Sequence, residues 1–294
     1  MTSVPSAGTT LLERLGVRIG RTGTLLCLGL DPHPDALPRG FEPGLRGVEA
    51  FARLLLDAAA PWASAVKANL AFFEAFGPEG MAALERLRAA MPADLPFIAD
   101  AKRGDVGSTS TRHARAIFDR LGADAVTASP YLGREAIAPL LEHPGGFVYV
   151  LCRTSNPGAA EFQDLKVASG RRSDGVEPAP EPLYLHVARH VAAWAGGGAG
   201  IGLVVGATAP QELAAVRAAA SATPFLVPGV GHQGGDAAAV REHAPASTGP
   251  ASGLPGGAAL VNVSRGISEA ALGDDDPGEA LSKAAQTWAV QLRV

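Results

Sequence analysis

The segment Asp100-Ala101-Lys102-Arg103-Gly104-Asp105 puts two carboxylates and two cations within six positions, directly after the apolar run Pro96-Phe97-Ile98-Ala99. In an extended chain, side chains at i and i+2 point to the same side, so Asp100 and Lys102 share a face. Charges in such a strand are costly unless paired. That leaves two readings: an ion pair that plugs a core, or an acid–base or electrostatic cluster at the working end of a strand. Gly104 allows a tight turn, and Asp105 follows it. Lys67 repeats the theme inside Ser64-Ala65-Val66-Lys67-Ala68-Asn69-Leu70, where small apolar neighbours suit a solvent-seeking lysine poorly. The run Thr24–Asp31 ends in Asp31, followed by Pro32. Asp31, Lys67, Asp100 and Lys102 then form an alternating set of charges. Such a set keeps both lysines protonated and both carboxylates ionised where water is excluded. Lysine is scarce, with four (Lys67, Lys102, Lys166, Lys283) against 21 arginines, and two of the four stand in these runs. An ammonium and a guanidinium fork are not interchangeable, so the choice of lysine here carries information.

Positioning this set requires a scaffold, and the chain supplies a regular one. Eight short apolar runs, at 24–31, 64–70, 96–102, 124–130, 147–155, 202–208, 224–231 and 259–266, alternate with longer amphipathic segments. The segments 48–62, 79–91, 108–122, 182–195, 209–221 and 278–293 carry helical signals. Strict alternation implies parallel strands joined by right-handed crossovers. Eight such units predict a (β/α)8 barrel, with a short N-terminal helix over about 10–17 and one domain spanning 1–294. A doubly wound sheet is the alternative. Barrel chemistry sits at the carboxyl ends of the strands, where Asp31, Lys67, Asp100 and Lys102 fall. The Pro/Gly-rich stretch 156–182 leaves such an end and is expected on the active face. The stretch 244–258 enters the opposite face and reads as a flexible spacer.

Composition narrows the function classes. The chain has 294 residues, a formal charge of −4, 47 % apolar and 18 % charged residues, which predicts a full core and gives no electrostatic case for nucleic-acid binding. No apolar run reaches the ~20 residues needed to cross a bilayer. The first twenty residues lack a basic start followed by an apolar block, so no secretory signal is expected. Cys27 and Cys152 both lie in strand-like runs and are expected to be buried reduced thiols. Together these point to a cytoplasmic protein.

The blocks LGLDP (28–32), VKANLAFFEAFG (66–77), FIADAKRGDVGST (97–109), LCRTSNPGA (151–159), VPGVGHQGGD (227–236) and NVSRGI (262–267) resemble the orotidine 5′-monophosphate decarboxylase family, its longer bacterial branch above all. The resemblance runs in order over nearly the whole chain, and Asp100, Lys102 and Asp105 match its DxKxxD motif. It implies a carboxy-lyase of pyrimidine biosynthesis that converts orotidine 5′-monophosphate (OMP) to UMP without metal or organic cofactor. Lys102 would stabilise and protonate the C6 carbanion, with Asp100 near the departing carboxylate. Asp31 and Lys67 would bind ribose hydroxyls, Lys67 also holding Asp100. Asp105 and Thr109 would complete the partner's site in a homodimer. Ser155 and Gln233 would recognise the pyrimidine. Gln233 and Arg265, with the backbone near Ser264, would hold the 5′-phosphate. The loop after the seventh strand is compact (GHQGGD), so the 156–182 loop is expected to share in covering the site.

Other matches are weaker. Gly229-x-Gly231-x-x-Gly234 fits a dinucleotide fingerprint but lies in the seventh unit, where phosphate binding by a barrel loop explains the glycines better. Asn262-Val263-Ser264 is a glycosylation sequon at a strand end. His186 and His190 are helical neighbours without the Glu of an HExxH motif. Arg265 has an alternative role in bracing the last helix. Two further functions remain: a metal-dependent sugar-phosphate decarboxylase on the same barrel, which needs a carboxylate for Mg²⁺ where the second strand offers Lys67 and Asn69, and a catalytically silent nucleotide-binding barrel.

Overall fold

The computed structural model describes residues 10–168, 179–195, 200–231 and 234–294. The eight apolar runs form eight parallel strands closed into one barrel. They are β1 (Leu26–Gly29), β2 (Ala65–Asn69), β3 (Phe97–Arg103), β4 (Ala125–Ala128), β5 (Phe147–Arg153), β6 (Ile201–Val205), β7 (Phe225–Pro228) and β8 (Leu260–Val263). Consecutive strands pair, and β8 closes on β1 with Leu26 opposite Val261 and Cys27 opposite Asn262. Every residue of β1, β4, β6 and β8 is buried. That is the signature of parallel strands covered on both faces, and it explains why the runs are continuous rather than alternating. The ring of helices covers the outer face. The helix Leu45–Ala59 buries Val48, Phe51, Ala52, Leu55, Leu56 and Ala59, the spacing of a single apolar stripe.

The N-terminal helix runs from Leu11 to Thr22, beyond the expected end at 17. Thr10 and Glu13 form a reciprocal capping box at its start, and Gly23 in the left-handed region (φ 67°) ends it. Its buried Arg18 donates to the carbonyls of Ala60 and Ala63 and pairs with Asp94, while Arg14 pairs with Asp124. All four partners precede strands β2, β3 or β4, so this helix covers the amino end of the barrel.

Two expectations are corrected here. Residues 244–258 are not a flexible spacer: they form short turns, Gly249–Ser252 and Pro255–Ala258, with Ala246, Ala251 and Ala258 buried against Leu12 and Leu254. The glycines serve close packing, since a Cβ on Gly257 would stand 2.2 Å from the Ala246 nitrogen. The helix after β3, expected from 108, begins at Gly107 with Val106 in the cap position. The start is set one residue early because Asp105 Oδ1 accepts the Val106 N–H and Ser110 Oγ accepts the Asp105 N–H. The chain continues from this helix through a wider π-helical turn, Arg115–Arg120.

On the opposite face, the loop after β5 contains a short helix, Ala160–Gln163, and an antiparallel ribbon pairing Lys166–Val167 with Glu181–Pro182. Cys27 and Cys152 are buried and unbridged. Among the described residues, no helix is long and apolar enough to cross a membrane.

Candidate active site

Asp31, Lys67, Asp100 and Lys102 meet at the carboxyl end of β1 to β3. Asp100 is the hub. Its Oδ2 accepts from Lys67 Nζ at 2.9 Å, and its Oδ1 accepts from Lys102 Nζ at 2.7 Å and from Thr127 Oγ1 at 2.8 Å. Lys67 Nζ also lies 3.8 Å from Asp31 Oδ2, and Asp31 Oδ1 accepts the Asn69 N–H at 2.7 Å. Burial opposes a charge on Asp100, yet the ammonium groups of Lys67 and Lys102 outweigh it and hold the carboxyl well below the usual carboxylate range. Burial likewise pulls Lys67 down, and the carboxylates of Asp31 and Asp100 more than offset it, leaving its ammonium harder to deprotonate than usual. The side chains of Lys67 and Asp100 are 6 % and 13 % exposed, whereas that of Lys102 is 49 % exposed. The alternating charges thus leave Lys102 as the accessible cation, braced from behind by a buried pair.

The strand carrying Lys102 is not regular. Ala99 stands opposite Val126, and the next pairing joins Arg103 to Ala128, so the β3 chain bulges between them. Lys102 adopts φ 47°, in the left-handed region. That conformation costs a non-glycine residue on the order of 1–3 kcal/mol and persists where surroundings over-determine it. The expected Asp100–Lys102 contact therefore forms, but at a bulge and not by simple strand alternation.

A cavity of about 610 Å3 opens beside the cluster, lined by Asp31, Ser155, Pro228, Asn262, Ser264 and Arg265 among others. Asp31 belongs to both the cluster and the cavity wall. Ser264 reaches its place because Gly29 has no side chain: a Cβ there would lie 2.4 Å from Ser264 Cβ. Arg265 opens the short helix Arg265–Ser268 at the end of β8. The cluster thus unites Asp31, Lys67, Asp100 and Lys102, and the cavity unites Asp31, Ser155, Ser264 and Arg265. Asp105 and Thr109 lie outside both: the Asp105 carboxylate accepts from Val106 and makes no ion pair among the described residues, and Thr109 sits in the first turn of the following helix. Gln233 lies outside the described residues.

Two site residues escaped the reading of the sequence. Thr127 looks like any β-branched strand residue, its one signal being a hydroxyl in an otherwise apolar run. Asn262 matched a sequon, but it is 9 % exposed and lines the cavity, with Oδ1 lacking a partner among the described residues.

A closed parallel barrel with a lysine–carboxylate cluster at the carboxyl end of its strands, beside a cavity that reaches the end of β8, defines a (β/α)8-barrel enzyme. The model of the orotidine 5′-phosphate decarboxylase / HUMPS family matches residues 24–284, and the chain belongs to that family. It is 42 % identical over 281 residues to an orotidine 5′-phosphate decarboxylase of Roseiflexus castenholzii, covering 96 % of this chain and 95 % of the relative. It is 46 % identical over 224 residues to the corresponding protein of Thermomicrobium roseum, covering 76 % of each. Among solved structures, a putative orotidine-monophosphate decarboxylase from Toxoplasma gondii superposes with a TM-score of 0.82 at 36 % identity, covering 96 % of this chain and 94 % of that one.

Proposed function

We propose that the chain decarboxylates OMP to UMP, with Lys102 as the catalytic acid. The observation that carries this is the half-exposed Lys102 ammonium, fixed 2.7 Å from Asp100 at the rim of the barrel. Cleaving the C6–carboxylate bond leaves the electron pair on C6 of the pyrimidine, with little resonance help from the ring. A preorganised cation stabilises charge as it develops, without reorganisation at the moment of reaction. Lys102 supplies that cation and then transfers one proton to C6. CO2 leaves, and the neutral amine is reprotonated from solvent. Lys67 and Asp100 keep the ammonium in place, and Asp31 with Lys67 bind the ribose hydroxyls. Ser155 and Gln233 read the base. Arg265, Gln233 and the Ser264 backbone hold the phosphate, whose binding energy is used in the transition state.

The enzyme works as a cytoplasmic homodimer in which Asp105 and Thr109 complete the partner's site. Support comes from the Asp105 carboxylate, which is paired with neither lysine of its own cluster, and from Val106, Tyr131 and Leu132, apolar residues 53 %, 89 % and 48 % exposed in the loops after β3 and β4. The test is the loss of ultraviolet absorbance when OMP is mixed with the protein, with and without chelator. Loss that chelator leaves unchanged supports the proposal. Loss that requires Mg²⁺ favours the metal-dependent sugar-phosphate chemistry, and binding without loss favours a silent barrel.

A further inference from the structure

Building on the proposed role of Lys102, we propose that Thr127 is a positioning residue whose hydroxyl locks both ends of Lys102. Thr127 is 1 % exposed in the middle of β4 and is absent from the cavity wall. Its hydroxyl has one proton to donate and lone pairs to accept with. The proton goes to Asp100 Oδ1 at 2.8 Å, and a lone pair accepts the backbone N–H of Lys102 at 3.0 Å. The same Asp100 Oδ1 accepts from Lys102 Nζ at 2.7 Å. The ring is therefore closed: Lys102 N–H to Thr127 Oγ1, Thr127 O–H to Asp100, and Lys102 ammonium back to Asp100.

The bulge explains why this hydroxyl is needed. Between the Ala99–Val126 and Arg103–Ala128 pairings, Lys102 has no paired residue on β4, and its N–H goes to the Thr127 hydroxyl. Thr127 supplies the replacement acceptor at the one non-glycine residue of β3 held at positive φ. A lysine on a flexible four-carbon stem, half-exposed and in a disfavoured backbone region, has many alternatives. A single buried hydroxyl, oriented by Asp100, removes them.

The competing explanation is that Thr127 merely packs. Two variants separate them: Thr127→Val keeps the shape and removes the hydroxyl, and Thr127→Ser keeps the hydroxyl and removes the methyl. We expect Thr127→Val to lower kcat for OMP by roughly 10- to 100-fold, the kinetic equivalent of losing the two buried hydrogen bonds of the hydroxyl. KM should stay within about threefold, because no substrate contact is removed. Thr127→Ser should recover kcat to within about threefold of wild type. Crystal structures of wild type and Thr127→Val give a readout that needs no turnover: Lys102 should leave the left-handed region in the valine variant. Wild-type kcat in Thr127→Val, a serine variant as slow as the valine one, or an unchanged Lys102 backbone would overturn the proposal. A wild-type protein that fails to turn over OMP refutes the proposed function instead, and the Lys102 backbone then decides the clamp.

Discussion

Replacing Asp100 by Asn keeps the shape of the hub and deletes its charge. In the native cluster every hydrogen-bond partner of the carboxylate is a donor: Lys67, Lys102 and Thr127. An amide must turn its NH2 toward one of them, so a donor faces a donor whichever way it flips. The larger loss is electrostatic. Lys67 is 6 % exposed and would keep only Asp31, 3.8 Å away. Stripping the partner from a buried cation costs about 3–5 kcal/mol, and the surviving Asp31 puts the expectation near the lower bound, about 3 kcal/mol. Half-exposed Lys102 adds little, because solvent screens its pair. At ~2–4 °C per kcal/mol for a chain of this size, Tm should fall by roughly 6–12 °C. The pH dependence follows from the depressed carboxyl. A group whose folded pKa lies below its unfolded value, ~3.9 for Asp, contributes fully above that value and loses the contribution as pH falls through the folded pKa. Lys67 is raised, so its contribution is complete below the unfolded value near ~10.4 and is lost only as pH rises through the folded one. The stability gap between wild type and Asp100→Asn should therefore be flat from about pH 5 to 9 and narrow below about pH 4. Urea unfolding of both proteins across this range reads it directly. A variant as stable as wild type at pH 7, or a gap that widens in acid, would refute the electrostatic argument.

Arg265→Ala should raise KM and lower kcat for OMP, while a substrate lacking the phosphate should react equally poorly with both proteins; an equal loss factor on both substrates would make Arg265 structural. Mixing inactive Lys102→Ala with inactive Asp105→Ala and allowing subunit exchange should restore about a quarter of wild-type activity, since random pairing makes half the dimers mixed and each mixed dimer has one intact site. No recovery despite exchange would mean that Asp105 serves its own chain. Burial pushes the Cys27 and Cys152 thiols up to about 12, so neither should react with a disulfide reagent at pH 8 until the protein is unfolded in urea. Fast reaction of the native protein would contradict their burial.

The barrel was legible because parallel strands buried on both faces leave continuous apolar runs, and the helices between them carry one-sided stripes, as in Leu45–Ala59. The cluster was legible because charge is costly in such runs, so Lys67 and Asp100 stood out. What composition could not convey was backbone geometry. The bulge at Lys102 and its positive φ arise from tertiary register between β3 and β4. Glycine and proline in 244–258 suggested looseness, whereas they allow the chain to turn tightly against the N-terminal helix. The helix Arg134–Leu141 spans eight residues with Pro139 inside, too short and interrupted for periodicity to reveal. Thr127 and Asn262 were hidden for one reason: a single polar side chain in a strand acquires its meaning from the neighbouring strand.

The most direct test of the central assignment is the turnover of OMP by Lys102→Ala beside wild type, in the presence of chelator, with unfolding curves to verify that the fold is intact. Loss of several orders of magnitude in kcat, with a native unfolding transition, is the predicted result. Substantial activity in that variant would contradict the assignment of the reacting cation to Lys102.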